Sequence, residues 1–271
     1  MCQLRLSAVT MDRTDNHRTA GPDAMDTTPA QFTPYGPSHW AVLAVFALGC
    51  AALVLTGRAH RHSPAERHLS RTFAAVLLTI HVGALIYTFV SRDWGPLDTV
   101  PLHLSDLAGF AAAYALWSHA RWAYALTYYW CLSLSTQALV SPVLASPDFP
   151  HHEFLAFWAL HLLVVWAAVY LTWGVGLRPS WRDYRIAVGL TACWAAVAML
   201  FNTATGTNYG YLNRKPATDS LLDLLGPWPW YLLPEIALIL AAWALLTWPW
   251  TRTRRDGARP RARSPRRPGR R

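Results

Sequence analysis

Charged residues are scarce in this chain of 271 residues, and their scarcity excludes an ordinary soluble domain. Only 14% of the residues are charged and 53% are hydrophobic, whereas about a quarter of the residues in a soluble domain are charged. Lys215 is the one lysine. The four cysteines stand singly, without a CxxC pair, at Cys2, Cys50, Cys131 and Cys193. Neither a disulfide framework nor a cysteine-based zinc site is therefore predicted.

The N-terminal segment lacks the features of a cleavable signal peptide. The first 35 residues contain no apolar core, and no small-residue cleavage site follows the first apolar run, which begins near Trp40. We therefore expect residues 1–37 to form a disordered polar tail. The first apolar run is expected to be retained as a helix.

Long apolar runs are the main positive feature, and they predict an all-α polytopic membrane helix bundle. A helix needs about 20 residues to cross the hydrocarbon core of a bilayer. Runs of that kind lie at 40–57, 72–90, 101–118, 122–144, 153–174, 185–203 and 229–250. His103 and Asp106 interrupt the third run, so the prediction is seven transmembrane helices, or six if that run does not cross. The transmembrane domain is expected to cover residues 38–250.

The distribution of arginine and lysine predicts the orientation of the bundle. Eighteen of the 24 basic residues fall on the side of the C-terminal tail, residues 251–271, which alone holds ten arginines. Short cytoplasmic loops carry the excess of positive charge, so the N-terminus is predicted outside and the C-terminus inside. We expect the tail to be disordered and to contact anionic lipid head groups. No nucleic-acid partner is expected, because no stacking aromatics alternate with its arginines.

Isolated polar side chains interrupt the apolar runs, each toward the predicted outer end of its span. They are His81, His103, Asp106, Gln137, His161, Asn202 and Glu235. At 1.5 Å per residue all of them fall within roughly 15 Å of the outer surface, which predicts one polar pocket in the outer half. Ionisable groups at membrane depth are costly and usually functional. The alternative is structural, with Gln137 and Asn202 as interhelical hydrogen-bond partners and His81 and His161 as packing histidines.

The spacing of His103 and Asp106 is the sharpest catalytic signal. Residues three apart share one face of a helix, so the Asp106 carboxylate can orient a His103 imidazole that acts as a general base. Ser105 lies between them on a different face, which makes a substrate hydroxyl the easier nucleophile. No HxxxH or HxxE spacing is present, and neither a metal nor another cofactor is predicted.

The outer loop over 203–228 is too long for a simple connector and is predicted to be a binding element. Asn208 and Lys215 are its candidate contacts to a phosphate or carboxylate head group. A short helix lying along the membrane surface is expected over 220–223. The alternative for the basic residues is a solvated loop tip.

Several strings carry a resemblance to a known family over roughly residues 38–250. They are PLHLSDLAG at 101–109, STQALVSP at 135–142, FPHHEF at 149–154, NTATGTNYGYLNRKP at 202–216 and SLLDLLGPWPWYLLPE at 220–235. Together they resemble the YwaF-like bacterial integral membrane proteins, which are similar to a eukaryotic transmembrane family of proposed phospholipid acyltransferases. The resemblance implies a multi-pass protein of the bacterial plasma membrane. Family members often have cysteine where this chain has Ser105, a departure that weighs against a shared cysteine nucleophile.

Three functions are compatible with these features. The first is a membrane-embedded, acyltransferase-like enzyme that modifies membrane lipids. The second is a proton-coupled transporter that uses His81, His161, Asp106 and Glu235 as relay groups; the absence of an inverted repeat and of polar groups in the inner half counts against it. The third is a non-catalytic lipid-binding or sensing protein. The oligomeric state is left open.

Overall fold

The described part of the chain is mainly helical. The computed structural model describes residues 30–91, 100–142, 144–215 and 224–256. Its α-helices are α1 (Pro37–Ala59), α2 (Pro64–Ser91), α3 (Leu104–Ser118), α4 (Arg121–Leu126), α5 (Thr136–Val140), α6 (His152–Val169), α7 (Trp181–Thr205) and α8 (Leu232–Asp256). A π-helical segment, Thr127–Ser135, joins α4 to α5, and a second one, Tyr170–Val175, extends α6. No strand occurs among these residues, which confirms the all-α prediction.

Among the described residues, five helices are long and apolar enough to cross a membrane. They are Pro37–Ala59, Pro64–Val90, His152–Val175, Trp181–Thr205 and Leu232–Arg252. These correspond to the first, second, fifth, sixth and seventh predicted runs. The prediction of a multi-pass membrane protein is therefore confirmed.

The third and fourth predicted runs differ from the other five. Helix α3 has 15 residues, and the helical run over 121–140 carries tyrosine, serine and threonine side chains along its length. Both elements lie inside the bundle, where Leu116, Tyr124 and Tyr129 are completely buried. Because neighbouring helices shield these two elements from lipid, they tolerate a shorter length and more polar groups than a lipid-facing helix.

The outer helices instead present apolar faces to their surroundings. Leu48 of α1, Phe89 of α2, Leu200 of α7 and Leu238 of α8 are each exposed over more than half of their surface. Large exposed apolar faces of this kind are typical of surfaces covered by lipid. The centre of the bundle therefore contains polar side chains, and the surrounding helices present apolar side chains to the lipid.

The helices alternate in direction, so the bundle has two ends. We call the end that holds residues 100–103 and 206–215 the His103 end. The opposite end, called the arginine end, holds Arg58, Arg61 and Arg121. There the Arg61 guanidinium donates to the Gly174 carbonyl at 2.6 and 3.0 Å. The arginine end corresponds to the predicted inner side and the His103 end to the predicted outer side.

Residues 30–36, which the sequence groups with the N-terminal tail, pack against the His103 end. Phe32 is 7% exposed and its backbone N–H donates to Ser146 O at 3.0 Å. Its ring centre lies 5.9 Å from that of Trp158. This segment anchors the start of α1, which begins at Pro37. The rest of the predicted tail, the surface helix over 220–223 and most of the arginine-rich tail lie outside the described residues.

Candidate functional site

A cavity of about 230 Å³ lies inside the bundle toward the His103 end. It is enclosed by α3, the helical run over 121–140, α7, α8 and residues 210–212. Its polar lining consists of His103, Ser105, Ser135, Thr191 and Glu235. Among its apolar lining residues are Trp130, Trp194, Met199, Ile236, Ile239 and Trp243. A few convergent polar groups in a mostly apolar chamber are typical of small-molecule sites.

The segment following α7 folds back to cover this cavity. Tyr209–Tyr211 forms a short 3₁₀ turn, and the Tyr209 hydroxyl donates to Val100 O at 3.0 Å. Gly210 has a φ of 67°, and a Cβ atom there would stand 2.6 Å from the Trp194 ring. Only glycine combines that backbone conformation with so close an approach. The loop is therefore a fitted cover of the cavity.

Asn202 holds this cover in place. Its side-chain Nδ2 donates to Tyr209 O at 3.0 Å and to Asn213 Oδ1 at 2.9 Å. Its Oδ1 accepts from the Tyr209 backbone N–H at 2.7 Å and from Thr207 Oγ1 at 3.0 Å. Both ends of the amide are thus engaged, and the residue is 2% exposed. Its role in the structure is to position the loop, which matches the structural alternative for this residue.

The two candidate head-group contacts in the loop also have structural partners. Asn208 Nδ2 donates to Arg214 O at 2.8 Å, and its Oδ1 accepts from the Asn213 backbone N–H at 3.3 Å. The Lys215 ammonium lies 5.9 Å from the centre of the Tyr231 ring. Neither residue lines the cavity within the described part of the chain.

His103 lies directly before the N-terminus of α3 and does not belong to the helix. It occupies the N-cap position with an extended backbone (φ −65°, ψ 142°), and its ring centre lies 4.6 Å from that of Tyr209. Asp106 is in the first turn of α3, where a carboxylate is favoured by the helix dipole. The shared-face argument assumed that both residues are helical, so it does not apply as stated. The base-and-orienter pair stays a prediction.

Ser105 lines the cavity together with His103, although the helical spacing predicts different faces. The N-cap conformation of His103 explains this, because the chain turns between the two residues. Glu235, in the first turn of α8, lines the same cavity from the opposite side. The structure thus brings together one imidazole, one hydroxyl and one carboxyl group.

Asp106 and Asn202 do not line the cavity, and three further predicted pocket residues lie elsewhere. His81 is 4% exposed, and its Nε2 donates to Asp106 O at 3.0 Å from the far side of α3. His161 is buried within α6, where its Nδ1 donates to Phe157 O at 2.7 Å. Gln137 is exposed on the outside of α5. All three share the depth of the cavity without lining it.

Three tryptophans in the middle of their helices complete the cavity, and sequence reasoning did not find them. Trp130 Nε1 donates to Thr191 Oγ1 at 2.9 Å, and Trp194 Nε1 donates to Leu102 O at 3.0 Å. Trp243 Nε1 donates to Ser133 Oγ at 3.0 Å. A tryptophan far from either interface is the signal that identifies them, because a buried indole N–H requires a partner.

An apolar groove of about 810 Å³ adjoins the cavity. It runs between α3, the run over 121–140 and α7, and its lining includes Leu107, Phe110, Tyr114, Leu126, Ile186 and Gly189. Trp130 and Trp194 line both the groove and the cavity. These two indoles form the wall between a compartment with polar groups and a compartment suited to hydrocarbon.

The π-helical segment Thr127–Ser135 supplies the shared wall and part of the cavity lining. Trp130, Leu134 and Ser135 all come from it. A π-helical segment widens a helix and changes the direction of the following side chains, and it occurs frequently at functional sites.

No cluster of three or more histidine, cysteine, aspartate or glutamate side chains able to hold a metal ion occurs among the described residues.

Comparison with known proteins shows the family of the chain. The model of the TMEM164 family matches residues 34–247, which include every residue that lines the cavity. No match was found among curated proteins or among solved structures. The resemblance to YwaF-like proteins and the bacterial plasma membrane stay predictions. The chain belongs to the TMEM164 family and is a membrane protein with several apolar helices.

Proposed function

We propose that this member of the TMEM164 family binds a membrane lipid in the cavity and the adjoining groove and transfers an acyl chain to or from it. The observation that carries the proposal is the contact between the two compartments at Trp130 and Trp194. The cavity offers several polar groups, whereas the groove is lined mainly by apolar side chains, with Arg185 as its one charged lining residue. That division matches the two parts of a lipid molecule.

The polar compartment supports acyl transfer through His103. In the proposed step, the imidazole takes a proton from an attacking hydroxyl group, whose oxygen forms a bond to the carbonyl carbon of a lipid ester. The tetrahedral intermediate then loses the original ester oxygen, which receives the proton from His103. The positive end of the α3 dipole faces this region and favours the negative charge that develops on the carbonyl oxygen.

The attacking hydroxyl has two possible sources. A lipid hydroxyl can react directly, or Ser105 can react first and carry the acyl group as an ester. Ser105 lines the cavity with His103, so the geometry favours the serine route more than the sequence does. Glu235 is placed to bind the polar part of the lipid or to orient water across the cavity.

We also propose seven spans, with the His103 end outside. The helical run over 121–140 is long enough at 1.5 Å per residue to cross about 30 Å of hydrocarbon. Helix α3 reaches the same depth together with the extended residues 100–103 that precede it. The basic residues at the opposite end favour the cytoplasmic side.

The experiment is a turnover assay of the purified protein in nanodiscs. The probes are a phosphatidylcholine donor and a lysophosphatidylcholine acceptor with an isotopically labelled head group, and acyl transfer is followed by mass spectrometry. We expect His103→Ala to abolish transfer and Gln137→Ala, at the same depth outside the cavity, to retain it. A covalent acyl group on the wild-type protein that is absent from Ser105→Ala would identify the serine route.

The remaining outcomes distinguish the alternatives. A second outcome is that no transfer occurs, the wild type retains lipid, and a variant whose groove is filled by a larger side chain retains none. The protein is then a non-catalytic lipid binder. If neither transfer nor retained lipid is found, the proposal fails. A transporter relay is not favoured, because His81 and His161 lie outside the cavity.

A further inference from the structure

A second polar pocket lies at the arginine end, on the opposite side of the bundle from the His103 cavity. It has a volume of about 340 Å³. Its lining residues are Arg67, Ser70 and Arg71 from α2 and Leu116, Trp117, Ser118 and His119 from the end of α3. Nothing in the proposed acyl transfer uses these groups.

Two arginines give the pocket its positive charge, and neither is in a salt bridge within the described part of the chain. Arg67 and Arg71 are one helical turn apart, so their guanidinium groups share a face of α2 and repel each other. The ion pairs found in the described part of the chain have Arg121 and His151 as their basic partners. An anion bound between Arg67 and Arg71 would remove the repulsion.

Glu66, which precedes Arg67, does not line the pocket. Glu66 is 7% exposed, and its Oε2 accepts the backbone N–H of His62 at 2.7 Å. It therefore serves to close the turn before α2. Arg67, the next residue, is exposed on the pocket side.

Arg71 is held in a conformation suited to anion binding. Its guanidinium carbon lies 5.2 Å from the centre of the Trp117 ring. Stacking of a guanidinium on an indole restrains the side chain and leaves its edge N–H groups available. Trp117 itself is 54% exposed, so the stacked pair stands at the rim of the pocket.

His119 forms the other wall and is fixed by a hydrogen-bond chain. The Ser70 hydroxyl donates to Leu116 O at 2.6 Å, so it accepts a hydrogen bond from His119 Nε2, 3.1 Å away. His119 has a left-handed backbone conformation (φ 54°) at the C-terminus of α3. The turn therefore projects the ring into a defined position beside the two arginines.

The depth of the pocket matches that of lipid phosphate groups. Helix α2 begins at Pro64, and its apolar run starts at residue 72, directly after Arg71. Trp117 and Trp122 lie at the same level, where amphipathic indoles favour the membrane interface. Arginines at this depth meet the head-group layer before they meet bulk water.

We propose that this pocket binds the phosphate group of a membrane phospholipid, with Arg67 and Arg71 donating to its oxygens and His119 lining the opposite side. Planar guanidinium groups suit phosphate oxygens because they can donate two parallel N–H bonds. Free phosphate ion has the same chemistry, and the experiment must separate the two sources. The inference does not depend on acyl transfer at the His103 end.

The test is binding of phosphatidic acid to the purified full chain in detergent, measured by native mass spectrometry and by titration. We expect Arg67→Gln and Arg71→Gln each to weaken binding about tenfold, the usual effect of losing one charge-assisted hydrogen bond. Arg182→Gln is the matched control, because Arg182 is exposed at the same end on α7 and does not line the pocket. It should bind phosphatidic acid as the wild type does.

Two further arms decide the source and guard against misfolding. In one outcome, millimolar inorganic phosphate displaces the lipid, and Arg71→Gln no longer binds phosphate. The ligand would then be the free ion, which would overturn the lipid assignment. Binding that persists in phosphate buffer and requires acyl chains would support it. Arg67→Lys and Arg71→Lys keep the charge and the fold and should bind with intermediate affinity. Wild-type affinity in both glutamine variants would overturn the proposal.

Discussion

The backbone of Gly210 lies directly against the indole of Trp194, so closely that a Cβ atom on the glycine would stand 2.6 Å from the ring. Trp194 is also one of the two residues that separate the polar cavity from the apolar groove. The covering loop and the wall between the compartments are therefore coupled by a single contact. A change on either side of that contact must move the other.

Gly210→Ala should destabilise the protein and disturb the wall. The substitution combines a left-handed φ of 67° with a collision against Trp194, and we expect a loss of roughly 2–4 kcal/mol from strain and overpacking together. The measurement is thermal unfolding in detergent. Gly206→Ala, which has a φ of 75° but open space around it, should show the strain alone and lose less. Equal losses in both variants would contradict the proposed contact.

Asn202→Asp should release the covering loop. The carboxylate cannot donate to Tyr209 O or Asn213 Oδ1, and it would place negative charge among buried acceptors. We expect a loss of roughly 2–4 kcal/mol in stability, with faster proteolysis within residues 206–215. Gln31→Glu introduces the same charge at an exposed site outside the predicted transmembrane domain and should leave both measurements unchanged. A loop as resistant as the wild type's would show that Asn202 is not its anchor.

Gly189→Leu should block the apolar groove without unfolding the protein. Gly189 lines the groove on α7, and a Cβ atom there meets no other atom within 4 Å. The larger side chain should fill the space proposed for an acyl chain and lower the amount of retained lipid. Gly189→Ala is the control, which should keep the lipid and gain up to about 1 kcal/mol from higher helix propensity. Undiminished lipid in the leucine variant would exclude the groove as the acyl site.

Phosphate binding at the arginine end should strengthen as the pH falls. Burial lowers the pKa of His119 below its usual range, Arg67 lowers it further, and Glu66 acts in the opposite direction. The neutral ring uses its one N–H toward Ser70, so Nδ1 becomes a donor only on protonation. The anion favours that protonated form and so raises the pKa. Affinity should therefore rise on acidification through the lowered pKa.

The pH dependence is measured by titrating the wild type and His119→Asn with phosphatidic acid over a range of pH. Asparagine tolerates the left-handed backbone, so this variant should fold. Arg67 and Arg71 keep their charge throughout the range, and Glu66, the other charged group near the ring, is present in both proteins. A profile in the variant as steep as the wild type's would assign the effect to another group, including the lipid phosphate itself.

The predicted third span shows how far composition reaches. The apolar run at 101–118 correctly indicates a helical segment, but the helix starts only at Leu104, and His103 before it has an extended backbone. The His103 ring contacts the ring of Tyr209, which lies more than 100 residues further along the chain. The spacing of His103 and Asp106 predicts a shared helical face, but His103 occupies the N-cap position, so the pairing of the two side chains stays a prediction.

Gln137 and Glu235 show that depth in the membrane does not decide whether a polar residue lines the cavity. Both are single polar residues at similar depth, yet Gln137 is exposed on the outside of the bundle and Glu235 lines the cavity. Trp130 and Trp243 line the same cavity, and their position far from the ends of their helices separates them from interfacial tryptophans but does not show which face of the helix they occupy. Their place depends on which helix is surrounded by the others.

The low content of charged residues determined that this chain lies in a membrane, because a long apolar helix is stable only where lipid or protein covers it. Residue order along each helix also determined the depth of the polar groups, since every residue advances the chain by a fixed rise. Tertiary structure alone decided which of those groups meet. The rotation of each helix follows from side-chain packing against neighbours distant in sequence, and that packing put His103, Ser105 and Glu235 around one cavity while turning Gln137 outward.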